Sequence, residues 1–126
     1  MNNVELIITW VGFLIFPPLL ITFGLIMWKK TPKQNRWLGY RTTETLSDYE
    51  AWMIANHLAG KLFFIIGLVD LAIFIPLLIL TMPNKVAIGT VVWGIIVLLS
   101  LIIPIIVVEL RLKRIEWYSY LYLKIY

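Results

Sequence analysis

Val86 to Val108 reads V-A-I-G-T-V-V-W-G-I-I-V-L-L-S-L-I-I-P-I-I-V-V, an apolar run without one charge, closed by Glu109. A bilayer core about 30 Å thick takes about 20 helical residues at roughly 1.5 Å rise each, so the run is long enough to cross it. Its β-branched richness does not argue for strands, because an open sheet in lipid leaves backbone groups unpaired. Two other stretches qualify. Leu6 to Trp28 is uncharged and ends at Lys29-Lys30, and Leu58 to Thr81 is interrupted only by Lys61 and Asp70. Met82-Pro83-Asn84-Lys85 between the second and third reads as a tight turn, so those two helices are expected to be antiparallel neighbours.

Composition agrees. Of 126 residues, 61% are hydrophobic and 14% charged, and the mean hydropathy is +0.90. A soluble domain carries about 25% charged residues. The composition excludes a disordered chain, a fibrous protein and an ordinary cytosolic enzyme, and the length allows one membrane domain over 1–126. With no cysteine there is no disulfide framework, thiolate metal site or cysteine nucleophile, and one histidine cannot build a multi-histidine site. The net charge of +4 is read as a topology signal and not as nucleic-acid binding. The first stretch is not read as a cleaved signal peptide, since it lacks a basic n-region and an A-x-A-like site and is too long.

Basic residues set the direction. Met1 to Glu5 has none, the first loop carries Lys29, Lys30, Lys33, Arg36 and Arg41, the second loop only Lys85, and the tail Arg111, Lys113, Arg114 and Lys124. The positive-inside rule then places the N-terminus outside, the first loop in the cytosol and the C-terminus in the cytosol of a multi-pass cell-membrane protein. Trp10, Trp28, Trp52 and Trp117 lie toward span ends, as an aromatic belt does; Trp93 does not fit it. Pro17-Pro18, Pro76 and Pro104 sit inside the spans. Each removes a backbone donor and frees the carbonyl four residues earlier, that of Ala72 for Pro76. A packing kink is the plain reading, a hinge or polar notch the sharper one.

The stretch Asn35 to Lys61, N-R-W-L-G-Y-R-T-T-E-T-L-S-D-Y-E-A-W-M-I-A-N-H-L-A-G-K, is far more polar than the rest. Gly39 offers a turn at positive φ. Ser47 with Glu50 reads as a capping box, so a helix is expected to be capped at Ser47, to begin at Asp48 and to run into the second span. From that cap Trp52, Asn56, Gly60, Phe63, Gly67 and Asp70 share one face, expected to point at another helix and not at lipid.

Arg41 has three readings: a guanidinium clamped on Glu44, Glu50 or Asp70, a contact with a lipid phosphate, or a snorkelling interfacial arginine. Asp70, near mid-membrane, is read as a protonated or hydrogen-bonded aspartate inside the bundle, with a proton or cation site as the alternative. Asn56 is placed on the inner face and His57 at the interface. Lys61 is read as snorkelling. Glu109, Arg111, Lys113, Arg114 and Glu116 form a solvated helix end, with Glu109 and Lys113 at favourable spacing. Tyr118, Tyr120 and Tyr122 alternate with Ser119, Leu121 and Leu123, and an interfacial amphipathic tail helix is expected. The sequence has no G-x-S-x-G, P-loop, H-E-x-x-H or Rossmann glycine pattern. Ser100 is read as having no base nearby.

The string N-x-x-x-G-Y-R-T-x-x-T-L-S-x-x-x-x-W-x-x-A-N-x-x-x-G resembles the signature of SdpI-type membrane proteins, bacterial proteins named for immunity to a secreted toxin peptide of the sporulation-delaying system. The matching residues are Asn35, Gly39, Tyr40, Arg41, Thr42, Thr45, Leu46, Ser47, Trp52, Ala55, Asn56 and Gly60, within an SdpI-like region of 35–108. Longer members carry six spans and a separate N-terminal domain, so functions resting on that half, such as holding a repressor at the membrane, do not carry over. The resemblance favours the clamp reading of Arg41 and implies a binding or immunity protein acting against a membrane-active peptide, with signalling as an extension. A small ion-coupled transporter and a structural subunit of a membrane complex are the alternatives.

The expected fold is all-α and integral to the membrane: three transmembrane helices, a polar cytoplasmic first loop and a C-terminal amphipathic tail. The expected binding and structural residues are Asn35, Gly39, Tyr40, Arg41, Thr42, Thr45, Trp52, Asn56, Gly60 and Asp70. No enzyme activity, cofactor or metal is expected. The expected partners are membrane lipids, a toxin peptide and further copies in an oligomer, with a cytoplasmic regulator last; nucleic acid is not among them.

Overall fold

The computed structural model describes residues 2–125, apart from the side chains of residues 117, 118, 120, 121, 122 and 125. Four helices follow one another: α1 over Asn3–Lys29, α2 over Thr43–Ser47, α3 over Tyr49–Thr81 and α4 over Val86–Ile125. No strand occurs among the described residues. Three of the helices, α1, α3 and α4, are long and apolar enough to cross a membrane. Their outward faces are lined by large apolar side chains such as Ile8, Ile79 and Leu80, which lipid would cover.

The chain enters α1 through a capping box, with Asn2 Oδ1 accepting from the Glu5 amide and Glu5 Oε2 from the Asn2 amide. The 33 residues of α3 make roughly 50 Å and the 40 of α4 roughly 60 Å, both beyond the hydrocarbon thickness. The turn over 82–85 joins them tightly at one end of the bundle, the hairpin end. Their surplus length therefore projects from the membrane at the opposite end, beside α2 and the first loop. That is the loop end.

α3 lies between α1 and α4 and packs most heavily on α1. Glycines set that contact. A Cβ on Gly60 would meet the Met27 and Trp28 backbone, one on Gly24 the Gly60 carbonyl oxygen at 2.7 Å, and one on Gly67 the Ile21 amide nitrogen at 2.9 Å. Small residues let the backbones approach in this way, where lipid supplies no hydrophobic drive. The expected inner face of α3 does point at other helices, and two neighbours share it: Gly60 and Gly67 meet α1, while Asp70 meets α4. Against α4, Ala51, Ala55 and Ala59 pack on Val108 and Leu112. At the hairpin end Trp10, Phe74 and Trp93 form an aromatic cluster with Phe13.

Several expectations need correction. The cap of α3 is Asp48, whose side chain accepts from the Glu50 amide at 2.9 Å, and the helix begins at Tyr49. Ser47 instead closes α2, its hydroxyl donating to the Glu44 carbonyl. The competing signal is the Thr42/Thr45 capping box that starts α2. Trp10 and Trp52 are buried within the bundle, as Trp93 is, and do not belong to an interfacial belt. Trp28 does sit at an end, with the Lys29 ammonium 3.9 Å from its ring centroid. The tail continues α4 and is not a separate interfacial element; the readings of Trp117, Tyr118, Tyr120 and Tyr122 fall outside the described side chains. α1, α3 and α4 run unbroken through their prolines, with Pro17 and Pro104 buried and Pro76 exposed.

Candidate functional site

The first loop does not float above the helices; it is fastened to them. Gly39 has φ of 118°, in the region that disfavours any side chain, and a Cβ there would stand 2.5 Å from Asn56 Oδ1 and 3.1 Å from both Met27 Cε and Trp52 Cη2. The chain therefore passes directly over the polar face of α3. There the Asn56 amide takes both backbone groups of Tyr40. Its Oδ1 accepts from the Tyr40 amide at 2.5 Å, and its Nδ2 donates to the Tyr40 carbonyl at 3.3 Å and to the Trp52 carbonyl at 2.9 Å. A side-chain amide offers an acceptor and donors together, so one buried residue replaces a strand partner for the loop.

Other members of the string hold the loop from its two ends. Asn35 Oδ1 accepts from the amides of Trp37 and Leu38, and its Nδ2 donates to the Lys33 carbonyl, closing a turn before Gly39. Trp52 Nε1 donates to the Pro32 carbonyl at 2.9 Å and Gln34 Nε2 to the Thr45 carbonyl at 2.8 Å. Thr42 and Thr45 cap each other's backbone, and the fully buried Thr45 hydroxyl lies 3.2 Å from both the Tyr40 and the Thr42 carbonyls.

The loop also reaches α4. The Tyr40 hydroxyl donates to Glu109 Oε1 at 2.6 Å across 69 residues of sequence. Burial, then the hydrogen bond and charge of Glu109, hold the Tyr40 hydroxyl well above the ordinary tyrosine range. A cavity of about 360 Å³ lies beneath, bounded by Phe23 and Met27 of α1, Gly39 to Thr42, Asn56 of α3 and Ile105 of α4. Nearby, burial and then the Glu116 carboxyl raise Glu44 above the usual carboxylate range.

The site therefore gathers Asn35, Gly39, Tyr40, Thr42, Thr45, Trp52 and Asn56. It leaves out two residues of the expected set and changes the part of a third. Gly60 serves the α1 contact and not the cavity. Asp70 stands 14 residues further along α3 from Asn56, roughly 21 Å. Arg41 is exposed and donates to the Arg36 carbonyl; it clamps none of Glu44, Glu50 and Asp70. Asp70 is too deep, and Glu44 is turned toward Glu116.

Sequence reasoning misplaces two residues. Glu109, expected in a solvated end, is the half-buried acceptor for Tyr40. Ser100, read as having no base nearby, donates to Asp70 Oδ1 at 3.0 Å inside the bundle, while Asp70 Oδ2 is buried with no hydrogen-bond partner among the described residues. Pro104 also removes the amide that would have bonded the Ser100 carbonyl, so a polar notch does accompany one of the prolines. The signal for Glu109 is its place as the first charge after a long apolar run, and the signal for the notch is the i, i+4 step from Ser100 to Pro104.

Among the described residues no group of His, Asp and Glu stands ready to hold a metal ion. No curated protein and no solved structure matches the chain. The model of the SdpI/YfhL protein family matches residues 31–108, which takes in the fastened loop, α2, α3 and the membrane-crossing part of α4. That match covers more than half of the chain, and the chain belongs to the SdpI/YfhL protein family.

Proposed function

We propose that the protein protects its cell from a membrane-active toxin peptide by binding it at the loop end, with the first loop and C-terminus in the cytosol. The observation that carries this is the fastening of Gly39-Tyr40 to Asn56 of α3 and Glu109 of α4. It ties loop and helices into one unit, with the exposed Trp37 on its outside and Arg41, which donates to the Arg36 carbonyl, in the lining of the loop cavity. Trp37 is 88% exposed, so it offers a large amphipathic ring to a partner. Arg41 adds a planar cation beside it. Family membership supports an immunity-type role, and a signal passed inward through α3 and α4 is an extension of it.

The test is toxin challenge of a sensitive strain expressing the chain. Protection is expected from the wild type. It is expected to be lost in Trp37→Ala combined with Arg41→Ala, with membrane insertion unchanged. Full protection from that double variant sinks the binding face, and no protection from the inserted wild type sinks the function. An impermeant reagent that labels the first loop from outside intact cells overturns the orientation.

A second reading, an ion-coupled carrier, is favoured by the Asp70–Ser100 notch. An aspartate with a bare oxygen in hydrocarbon costs at least about 2.5 kcal/mol on insertion scales, and intramembrane carboxylates commonly serve protons or cations. Three spans offer little pathway, so this reading requires an oligomer. Reconstituted protein should then show proton or cation flux that Asp70→Asn abolishes.

A further inference from the structure

At the loop end a second cavity of about 770 Å³ opens between α3 and α4, with no part of α1 in its wall among the described residues. Its floor is apolar, made by Ile54 and Leu58 of α3 and Val107 and Leu110 of α4. Its rim is basic: His57 and Lys61 on one side, Arg111 and Arg114 on the other, with no acidic residue in the lining among those described. All four rim side chains are exposed. Lys61 has the Trp28 ring 5.9 Å away, whereas Arg111 and Arg114 have no hydrogen-bond or charged partner among the described residues. The two arginines are three residues apart on one helix, so their Cβ atoms lie only about 5–6 Å apart. Two guanidinium groups at that spacing, with the Lys61 ammonium across the groove, make a local excess of positive charge that favours an anion between them.

The position sets the chemistry of that anion. Leu58 and Val107 lie in apolar stretches of their helices, while Arg111 and Arg114 follow the uncharged run Val86 to Val108 of α4 by three and six positions. On α4 the two arginines therefore lie at headgroup depth, with Val107 below them; on α3 Lys61 stands one turn deeper than His57 and reaches the same level only by its long side chain, beside Leu58. An occupant must carry a negative group within a few ångströms of an alkyl chain. A soluble phosphate would leave the floor uncovered, and a peptide would bring backbone polar groups against it. A phosphate diester with attached acyl chains satisfies both zones, and guanidinium forks match phosphate oxygens bidentately. The volume suits a site for one such molecule.

We propose that the α3/α4 groove binds one anionic phospholipid of the leaflet at the loop end, its phosphate held by Arg111 and Arg114 with His57 and Lys61 opposite, and an acyl chain lying along Leu58 and Val107. The groove is separate from the fastened loop and its cavity, so the site does not rest on the toxin-binding reading.

The full chain, purified in mixed phosphatidylglycerol and phosphatidylcholine, is examined by native mass spectrometry. One phosphatidylglycerol adduct is expected to survive activation in preference to phosphatidylcholine. Arg111→Gln with Arg114→Gln is expected to lower its retention about tenfold, at unchanged helix content. Lys29→Gln with Lys30→Gln removes equal charge from α1 at the same membrane face and is expected to leave it intact. A photoreactive phosphatidylglycerol carrying its label on the acyl chain gives a readout on the wild type alone. Crosslinks should concentrate in residues 53–61 and 107–114 over residues 11–19 of α1. Equal retention of the two lipids, no loss in the arginine variant, equal loss in the lysine variant, uniform crosslinking, or a dimer without lipid each overturns the proposal.

Discussion

The two ends of α3 are built on different principles. At the loop end the buried polar atoms of the motif find partners: Asn56 uses both amide atoms, Trp52 its indole N–H, Thr45 its hydroxyl. At the hairpin end packing is aromatic, with Phe74 against Trp93 at 5.0 Å between ring centroids and Trp10 at 5.7 Å. Here the indole N–H groups of Trp10 and Trp93 are buried without a hydrogen-bond partner among the described residues, as is Asp70 Oδ2. The hairpin end is held mainly by aromatic packing, with the Ser100–Asp70 hydrogen bond beside it. The loop end is held by directional bonds that specify one chain path.

The largest effect tests what both ends share. Gly60→Leu drives a side chain into the Met27 and Trp28 backbone and is expected to remove about 3 kcal/mol or the fold itself, read by thermal unfolding in detergent. Gly12→Leu, where nothing lies within 4 Å of a Cβ, should leave the transition unmoved. An equal loss in both would erase the distinction between a built contact and lipid-facing surface.

Asn56→Ala comes next. It strips the Tyr40 backbone of two partners and is expected to cost about 2 kcal/mol, with fast hydrogen exchange at the Tyr40 amide. Asn56→Asp keeps the acceptor for that amide but loses both bonds donated by Nδ2, so its amide should stay protected while stability still falls. If the amide exchanges equally fast in wild type, the loop is not fastened.

Tyr40→Phe removes the bond to Glu109 and is expected to cost about 1.5 kcal/mol, as for hydrogen bonds to charged groups. The pH dependence separates it from a mere loss of packing. Folding raises this hydroxyl above its ordinary value of 10.0, so the folded chain keeps the proton longer than the unfolded one. The contribution is full below about pH 10 and fades as the pH climbs beyond it. Wild type should lose melting temperature as the pH passes through the ordinary tyrosine value, from about 9 to 11, and Tyr40→Phe should flatten that slope.

Legibility in the sequence divides along the same line. Spans, turn and inner face are legible because lipid enforces length and hydropathy, and because glycines at helical spacing have one common use. Gly39 is legible as a residue for positive φ, and the string singles out Asn56. The partners are not legible. Nothing local links Tyr40 to Glu109 or Asp70 to Ser100, since each pair is joined only after the hairpin folds α4 back on α3. Arg41 misleads because its charge suggests a carboxylate, while the nearest acceptor is the Arg36 carbonyl five residues back. Ser47 misleads because two capping signals overlap within Thr42 to Glu50, and the earlier one wins.

A paired replacement of tryptophans compares the ends directly. Trp52→Phe loses the bond to Pro32 as well as some area, whereas Trp93→Phe loses area alone, its N–H having no partner among the described residues. The expected difference in stability is about 1 kcal/mol, the net worth of one hydrogen bond, with Trp52 the more sensitive. Equal losses would mean that the Pro32 bond contributes nothing.

The smallest effect concerns the loop end's one internal conflict. Burial first, then the charge of the neighbouring Glu116 carboxyl, raises Glu44 above the usual carboxylate range. Because the folded state raises the value, the contact stabilises at acid pH and its benefit is lost as the pH rises past the elevated value. At neutral pH the pair is therefore mildly repulsive. Glu44→Gln keeps a donor for Glu116 and removes one charge, so it should stabilise the loop end at about pH 7 by no more than about 0.5 kcal/mol, given the screening at so open a place. At about pH 4, near the ordinary carboxylate value, the variant and wild type should converge. A variant less stable than wild type at neutral pH would mean that Glu44 is held by a cation and not pushed by its neighbour carboxyl.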